Sequence, residues 1–343
     1  MKRVLIAMAV AALGAALLPT TASAAALSCT PTGFFRDGIN MTAAEIGGDV
    51  IDRSLDAGGC NIGVYYGPGT SGTVDNATIF GANYFGVVAH GASVNVTNSN
   101  VHDIGEVPLN GAQHGLAIYY ATVDAGSATA QPTCTSGSTT GTISGNTVAS
   151  YQKGGIISNC AGTTVKITNN TVTGEGPVNY IAQNGIQVGY GAMATVTGNT
   201  VTGNAYTGAN RASSAGILVV GGPLFGLPYT VGLNIMKNTL TDNDVGAWLF
   251  NADEFGNAPT FKTNNSVKLN TISNGAVTNT TGFSATCGYQ AGIADNGHRD
   301  LIVNNSISGL GYTPVPNDCA GTPAAFVRRI DLDSAAIGVP SNK

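Results

Sequence analysis

Short runs of alternating apolar and polar residues recur along this chain, most of them centred on an asparagine. The run reads VTNSNVHD from Val96, ISGNTVAS from Ile143, ITNNTVTG from Ile167 and VTGNTVTG from Val196. It returns as IMKNTLTD from Ile235, VKLNTISN from Val267 and IVNNSISG from Ile302, with a weaker VDNATIFG from Val74. Period-two alternation over so few residues predicts short β-strands with one buried face. A second phrase, glycine followed by apolar-x-apolar, recurs at Gly63, Gly86, Gly115, Gly155, Gly185, Gly216, Gly246 and Gly292. Two phrases alternating in fixed order, with glycines 23 to 46 residues apart, mark a repeat protein whose units stack on one another.

The central asparagine recurs at Asn146, Asn170, Asn199, Asn238, Asn270 and Asn305. Asparagine tolerates the left-handed conformation that a sharp corner between strands requires. Stacked corners put these amides in a ladder with a step of about 4.8 Å. The prediction is an all-β fold, a single-stranded parallel β-helix (solenoid) of about eight to nine rungs with N- and C-terminal caps. Residues 61–312 supply the solenoid and 25–60 an N-terminal cap with a short helix at Ala43-Ala44-Glu45-Ile46. Residues 313–343 form a C-terminal cap that closes with a strand around Phe326 to Ile330.

Composition removes the alternatives. With 43% hydrophobic and 10% charged residues the chain can bury a core, which excludes disorder. Its 48 glycines are far too few for collagen, and with abundant Asn, Thr and Val they disfavour a helix bundle. Lys2 and Arg3 precede an apolar run from Val4 to Leu18, and Ala22-Ser23-Ala24 offers a small-residue cleavage site, so residues 1–24 read as a signal peptide. The run is shorter than the ~20 residues of a spanning helix, and the mature chain is expected to be secreted, with no membrane partner. Removing Lys2 and Arg3 takes the formal charge from −5 to −7, which argues against nucleic acid. All six cysteines follow the cleavage site, and an even number in an exported chain predicts disulfides. Successive cysteines lie about one rung apart, which pairs Cys29 with Cys60, Cys134 with Cys160 and Cys287 with Cys319.

The phrases from about Asn61 to Gly311 resemble the parallel β-helix repeats of the pectin-lyase-like superfamily, which implies a right-handed solenoid. That superfamily hosts lyases, hydrolases, epimerases, adhesins and phage tailspikes, so the resemblance implies a fold and not one reaction. The sequence has no Gly-His-Gly and no Asp-Pro-His-Asp, and Asn238-Thr239-Leu240-Thr241-Asp242 only faintly matches the polygalacturonase Asn-Thr-Asp. No family active site transfers residue by residue.

Loop lengths indicate where chemistry could sit. From the end of an asparagine run to the next glycine, Val148 to Gly155 and Leu240 to Gly246 take only 7 and 6 residues. The neighbouring segments from Val101, Val172, Val201 and Ile272 take 14, 13, 15 and 20. Long loops flanking short crossings predict two notches on one edge.

The first notch is expected to have Tyr151, Gln152 and Lys153 on its floor. His102, Asp103, Glu106, Gln113 and His114 would wall one side, and Glu175 and Tyr180 the other. This set suits Lys153, His114 and Asp103 as catalytic groups, with Gln113, Tyr151, Gln152, Glu175 and Tyr180 binding substrate. A base and a cation for a carboxylate are what uronic-acid lyases and epimerases need. Lys153 can equally form an ordinary surface ion pair with Asp103 or Glu106. Those acids are expected to compete with desolvation and hold it charged, leaving proton transfer to His114. The second notch places Asp242, Asn243 and Asp244 on its floor, near Tyr206, Arg211, Tyr289 and Gln290. Carboxylates at i and i+2 of an extended segment lie about 6.5–7 Å apart, which suits an inverting hydrolase, a Ca²⁺ site at Asp242 and Asp244, or a solvated acidic turn.

Tyr65, Tyr119, Ile157, Leu218, Trp248 and Phe250 are expected on an exposed face, where such a row stacks on sugar rings or packs under a loop. Asp295, His298, Arg299 and Asp300 form the densest charge cluster and read as a hydrogen-bonded end cap. The leading expectation is an exported protein that binds an extended polysaccharide along its side, with lyase, epimerase or hydrolase activity left open. The rival is a non-catalytic structural or adhesive surface protein.

Overall fold

The computed structural model describes residues 28–122, 134, 135, 137–210, 212–281, 287–315, 318–332 and 336–343; the expected signal peptide lies outside them. Three long sheets wind into the parallel β-helix that the repeats predict, right-handed as the family resemblance implies. Each rung contributes one strand to each sheet, as Gly154–Asn159, Thr163–Thr168 and Thr171–Val178 do. The second and third sheets each have nine strands, so nine rungs stack from Ile39–Ile46 to Ser306–Ser308. Ala325–Leu332 then closes the first sheet, where a final strand was expected.

At the opposite end Thr30–Arg36 pairs antiparallel with Ile39–Ile46. The expected helix at Ala43 to Ile46 is therefore strand. Parallel pairing with Ile62–Tyr66 gives this segment inter-strand hydrogen bonds that a four-residue helix could not match. Strands across residues 39–56 make the first rung, so the solenoid extends into the segment expected as a cap.

The interior is filled by columns of branched side chains. Val96, Ile143, Ile167, Val196 and Ile235 from the second sheet, and Val101, Val148, Val172, Val201 and Leu240 from the third, are fully buried. Burial of each stabilises the fold by about 1.5–3 kcal/mol. The repeat glycine faces the third-sheet column. A Cβ at Gly86, Gly155, Gly185 or Gly246 would press on Val101, Val172, Val201 or Ile272, so the first sheet comes this close only without a side chain. Gly115 is not in that column. Leu116 is in register with Phe85 and Gly154, which puts Ala117 opposite Gly86 and Gly155 and leaves Gly115 before the strand.

The corner between the second and third sheets carries the predicted asparagine ladder, with all six amides buried and bonded in sequence. The left-handed residue is the one before each ladder asparagine, contrary to expectation: Gly145, Asn169, Gly198, Lys237, Leu269 and Asn304 have φ between 55 and 71°. The ladder residue must turn its amide inward along the axis, and its predecessor makes the turn. The ladder continues at Asn342, whose Oδ1 accepts the backbone N–H and Nδ2 of Asn305. Val339-Pro340-Ser341-Asn342 is thus a further copy of the corner, hidden in the sequence because proline interrupts the alternation.

All three expected disulfides form, with Cα–Cα distances of 5.4 Å for Cys29–Cys60, 5.4 Å for Cys134–Cys160 and 4.9 Å for Cys287–Cys319. They suit an oxidising compartment. No helix among the described residues is long and apolar enough to cross a membrane.

Candidate functional site

The outer face of the first sheet carries two rows of side chains, one residue per strand. Tyr65, Val88, Tyr119, Ile157, Gln187, Leu218 and Trp248 stand in register in the first row. Beside them run His90, Ala121, Asn159, Gly189, Val220 and Phe250. The N-terminal half of this face is sealed. Phe34, from the antiparallel strand, lies against Tyr65, Phe85 and the His90 ring, whose Nδ1 is 3.1 Å from the Tyr65 hydroxyl. Tyr65, Tyr119 and Ile157 are therefore buried, not exposed as expected, while Leu218, Trp248 and Phe250 remain partly open.

The open half is a groove of about 370 Å³. Its aromatic end is Trp248 stacked on Phe250 at 5.1 Å and 23°, with Phe225 edge-on to Phe250 at 5.5 Å. Trp248 Nε1 donates to Asn296 Oδ1, which fixes the indole plane. Toward the sealed half the lining turns polar. Gln187 Nε2 donates to Asn159 Oδ1 at 3.1 Å, and Asn184 Nδ2 to Gln187 Oε1 at 3.4 Å. Lys153 Nζ donates to the Ala182 carbonyl at 2.6 Å. Burial pushes this lysine down to about 8, against the expectation that nearby acids would hold it up, because no acid contributes there. At neutral pH it is still mostly protonated.

The three expected catalytic groups have separate partners. His114 Nε2 lies 2.8 Å from Glu106 Oε1, and its ring stacks on Tyr84 at 3.8 Å. Asp103 Oδ2 meets His102 Nδ1 at 2.7 Å. Lys153 instead lines the groove with Gln113. Tyr151 and Gln152, expected on the notch floor, are fully buried. The Tyr151 hydroxyl donates to Asn204 Oδ1, while Gln152 accepts from the Glu106 and Asn110 N–H groups and donates to the Ala112 carbonyl. A long loop leaves backbone groups that need partners, and the short crossing turns its side chains inward to supply them. Glu175 is exposed and Tyr180 partly buried, and neither lines the groove.

The second notch is bridged. Thr281 Oγ1 donates to the Gly208 and Thr207 carbonyls, so the two long loops meet above the short crossing. Asp242 and Asp244 do not form the expected pair. Asp242 sits at a left-handed corner with φ of 52°, which breaks the strand alternation. It stays exposed, accepts the Gly275 N–H and borders a cavity of about 390 Å³ that remains of the notch. Asp244 is fully buried beneath the bridge. The described residues hold no group of three His, Cys, Asp or Glu side chains fit to bind a metal, and the two carboxylates considered for Ca²⁺ from sequence stand apart, one exposed and one buried. Tyr206 and Gln290 are buried close by, and Arg211 lies outside the described residues. At the last rung Asp295 Oδ1 accepts the Gly297 N–H and Asp300 Oδ1 accepts from Thr263 and Asn265. Both acids are buried, as an end cap requires.

Sequence reasoning missed Asn159, Asn184 and Gln187 as groove residues, although Gln187 replaces an apolar residue in an otherwise apolar row and could have been found by that. A search of curated proteins finds no match, and neither does a search of solved structures. A family model described as "Right handed beta helix region" matches residues 37–224, more than half of the chain. With nine stacked rungs, three parallel sheets and that match, the chain belongs to the right-handed β-helix family.

Proposed function

We propose that this protein binds an extended acidic polysaccharide in the groove on the outer face of the first sheet. The observation that carries this reading is the lining itself. A partly open Trp248–Phe250 stack, the amides of Gln187 and Asn184, and Lys153 follow one another across the sheet. An indole face stacks on the apolar face of a sugar ring, and side-chain amides bond its hydroxyls. Arg36 and Lys153 are the charged residues of the described lining, in a chain of net charge −5. A cationic groove in an acidic protein selects for carboxylates along the polymer. Because the rows hold one residue per strand, the sugar chain would run along the solenoid axis.

Binding is favoured over cleavage because the described lining includes no carboxylate or imidazole, and its lysine, pushed down to about 8, is still mostly protonated at neutral pH and so serves as a cation rather than a base. The test is titration of the purified protein with panels of acidic and neutral polysaccharides, followed by calorimetry and Trp248 fluorescence. Product absorbance and reducing ends are measured in the same samples. Binding of an acidic polymer without products supports the proposal, and Trp248→Ala should weaken it about tenfold. Turnover would restore a lyase, epimerase or hydrolase. Absence of any binding would leave the structural or adhesive role.

A further inference from the structure

Asp244 occupies an unusual position. Its Oδ2 accepts three hydrogen bonds from two different loops: the Tyr206 and Ser214 N–H groups at 2.9 Å, and Asn279 Nδ2 at 3.0 Å. Its Oδ1 is buried with no hydrogen-bond partner. Asn279 also donates to the Ala212 carbonyl and to Ser213 Oγ, and Ser213 Oγ donates to the Tyr289 carbonyl. Ala212 and Ser213 form part of the groove wall, and the Tyr289 ring lies 5.8 Å from Trp248. Among the described residues, the groups against Asp244 are neutral or phenolic. They are Ser214, Asn279, Tyr206 and Tyr312, while Asp242 on its own segment is exposed. No described cation offsets its charge.

We propose that Asp244 is a proton-operated catch that holds the two bridged loops closed and so sets the position of the groove wall. As a neutral acid it keeps all three bonds, because Oδ2 accepts as a carbonyl oxygen does while the proton sits on Oδ1. On ionisation Oδ1 carries charge with no donor in a dry site, and this is relieved only by admitting water or moving a loop. Loss of solvation outweighs the three donors and pushes the carboxyl up to about 7, which puts the transition near neutrality. A carboxyl raised above its unfolded value stabilises the closed bridge in full only below that unfolded value, and the contribution is lost as pH rises from there through about 7.

Trp248 is the only tryptophan, so its emission reports the wall directly. In ligand-free protein the emission should shift in one step with a midpoint of about 7, and exchange at the Tyr206 and Ser214 amides should rise over the same range beyond its intrinsic pH dependence. Asp244→Asn keeps the acceptor and the shape but cannot titrate, so both steps should vanish. Asn279→Ala removes one donor, and its midpoint should move to higher pH. A step that survives Asp244→Asn belongs to another group, such as a histidine, and overturns the proposal, as does wild type with no step between about pH 5.5 and 8.5. If Asp244→Asn does not fold, an unchanged midpoint in Asn279→Ala overturns it equally. The readouts need no sugar, so they fail or succeed independently of polysaccharide binding.

Discussion

Asn199 Oδ1 accepts two hydrogen bonds from Asn170, one from its backbone N–H at 3.0 Å and one from Nδ2 at 2.9 Å. Asn199 gives the same pair to Asn238, at 2.9 and 3.0 Å, and its Nδ2 also reaches the Ile167 carbonyl. One side chain therefore ties its rung to both neighbours, to Asn170 and Ile167 on one side and to Asn238 on the other. This is why the corner, and not the more variable loops, carries the most regular residue of the repeat.

Asn199→Ala should strand the Asn170 backbone and side-chain donors in a buried site. At about 1–3 kcal/mol for each unsatisfied group, the expected loss is on the order of 3 kcal/mol. Denaturant midpoints compared with the exposed control Lys166→Ala would show it; a difference under about 1 kcal/mol would contradict the ladder's energetic role.

Phe34→Ala tests the seal over the N-terminal half of the first sheet. Its ring covers Tyr65, Phe85 and His90, and burial of the Tyr65 hydroxyl pushes that phenol up to about 12. Truncation should cost about 3–5 kcal/mol and bring the Tyr65 titration down toward its ordinary value. Spectrophotometric tyrosine titration beside thermal unfolding reads both, and an unchanged titration would mean that something else covers the row.

The repeat made the fold legible because strand alternation, corner asparagines and inward glycines are local rules imposed in every rung. The disulfides followed from the rung length. The site was less legible because it depends on contacts between loops far apart in sequence. Nothing in Tyr151-Gln152-Lys153 says that the first two turn inward to satisfy a neighbouring loop while the third reaches the sheet face. The separation of Asp242 from Asp244 likewise depends on a left-handed backbone at Asp242, which the i, i+2 spacing conceals. Phe34 could not be placed over the aromatic row without knowing that Thr30–Arg36 pairs antiparallel.

Lys153→Met should separate binding from stability. The lysine is pushed below its ordinary 10.5 to about 8 by burial, so below pH 8 the fold carries a poorly solvated cation. Its contribution to stability therefore improves as pH rises from the folded value toward the unfolded one. At pH 7 the variant should be more stable by about 1 kcal/mol, after allowing for screening at a half-open position. It should also lose the rise in stability between about pH 8 and 10. Its affinity for an acidic polymer should fall while that for a neutral one is unchanged. Thermal unfolding at both pH values and calorimetry decide, and a variant less stable at pH 7 would count against a desolvated cation.

The groove also sets a length. From Lys153, before the strand Gly154–Asn159, to Trp248 on Val245–Asn251 the lining crosses three rung steps. At about 4.8 Å per step that is roughly 14 Å, room for on the order of three sugar rings. For the proposed ligand the aromatic stack would anchor one end and the cation the other, so a monosaccharide could engage only one of them. Affinity for acidic oligosaccharides should therefore climb steeply as the chain first spans both anchors and then level off. Lys153→Met and Trp248→Ala should be nearly additive on short ligands, which meet one anchor at a time. On spanning ligands each should lose most of the gain from length, because that gain comes from holding both ends together. Calorimetry across a ladder of oligomers supplies the test. Affinity independent of length, or still climbing well past the span, would place the sugar elsewhere on the solenoid.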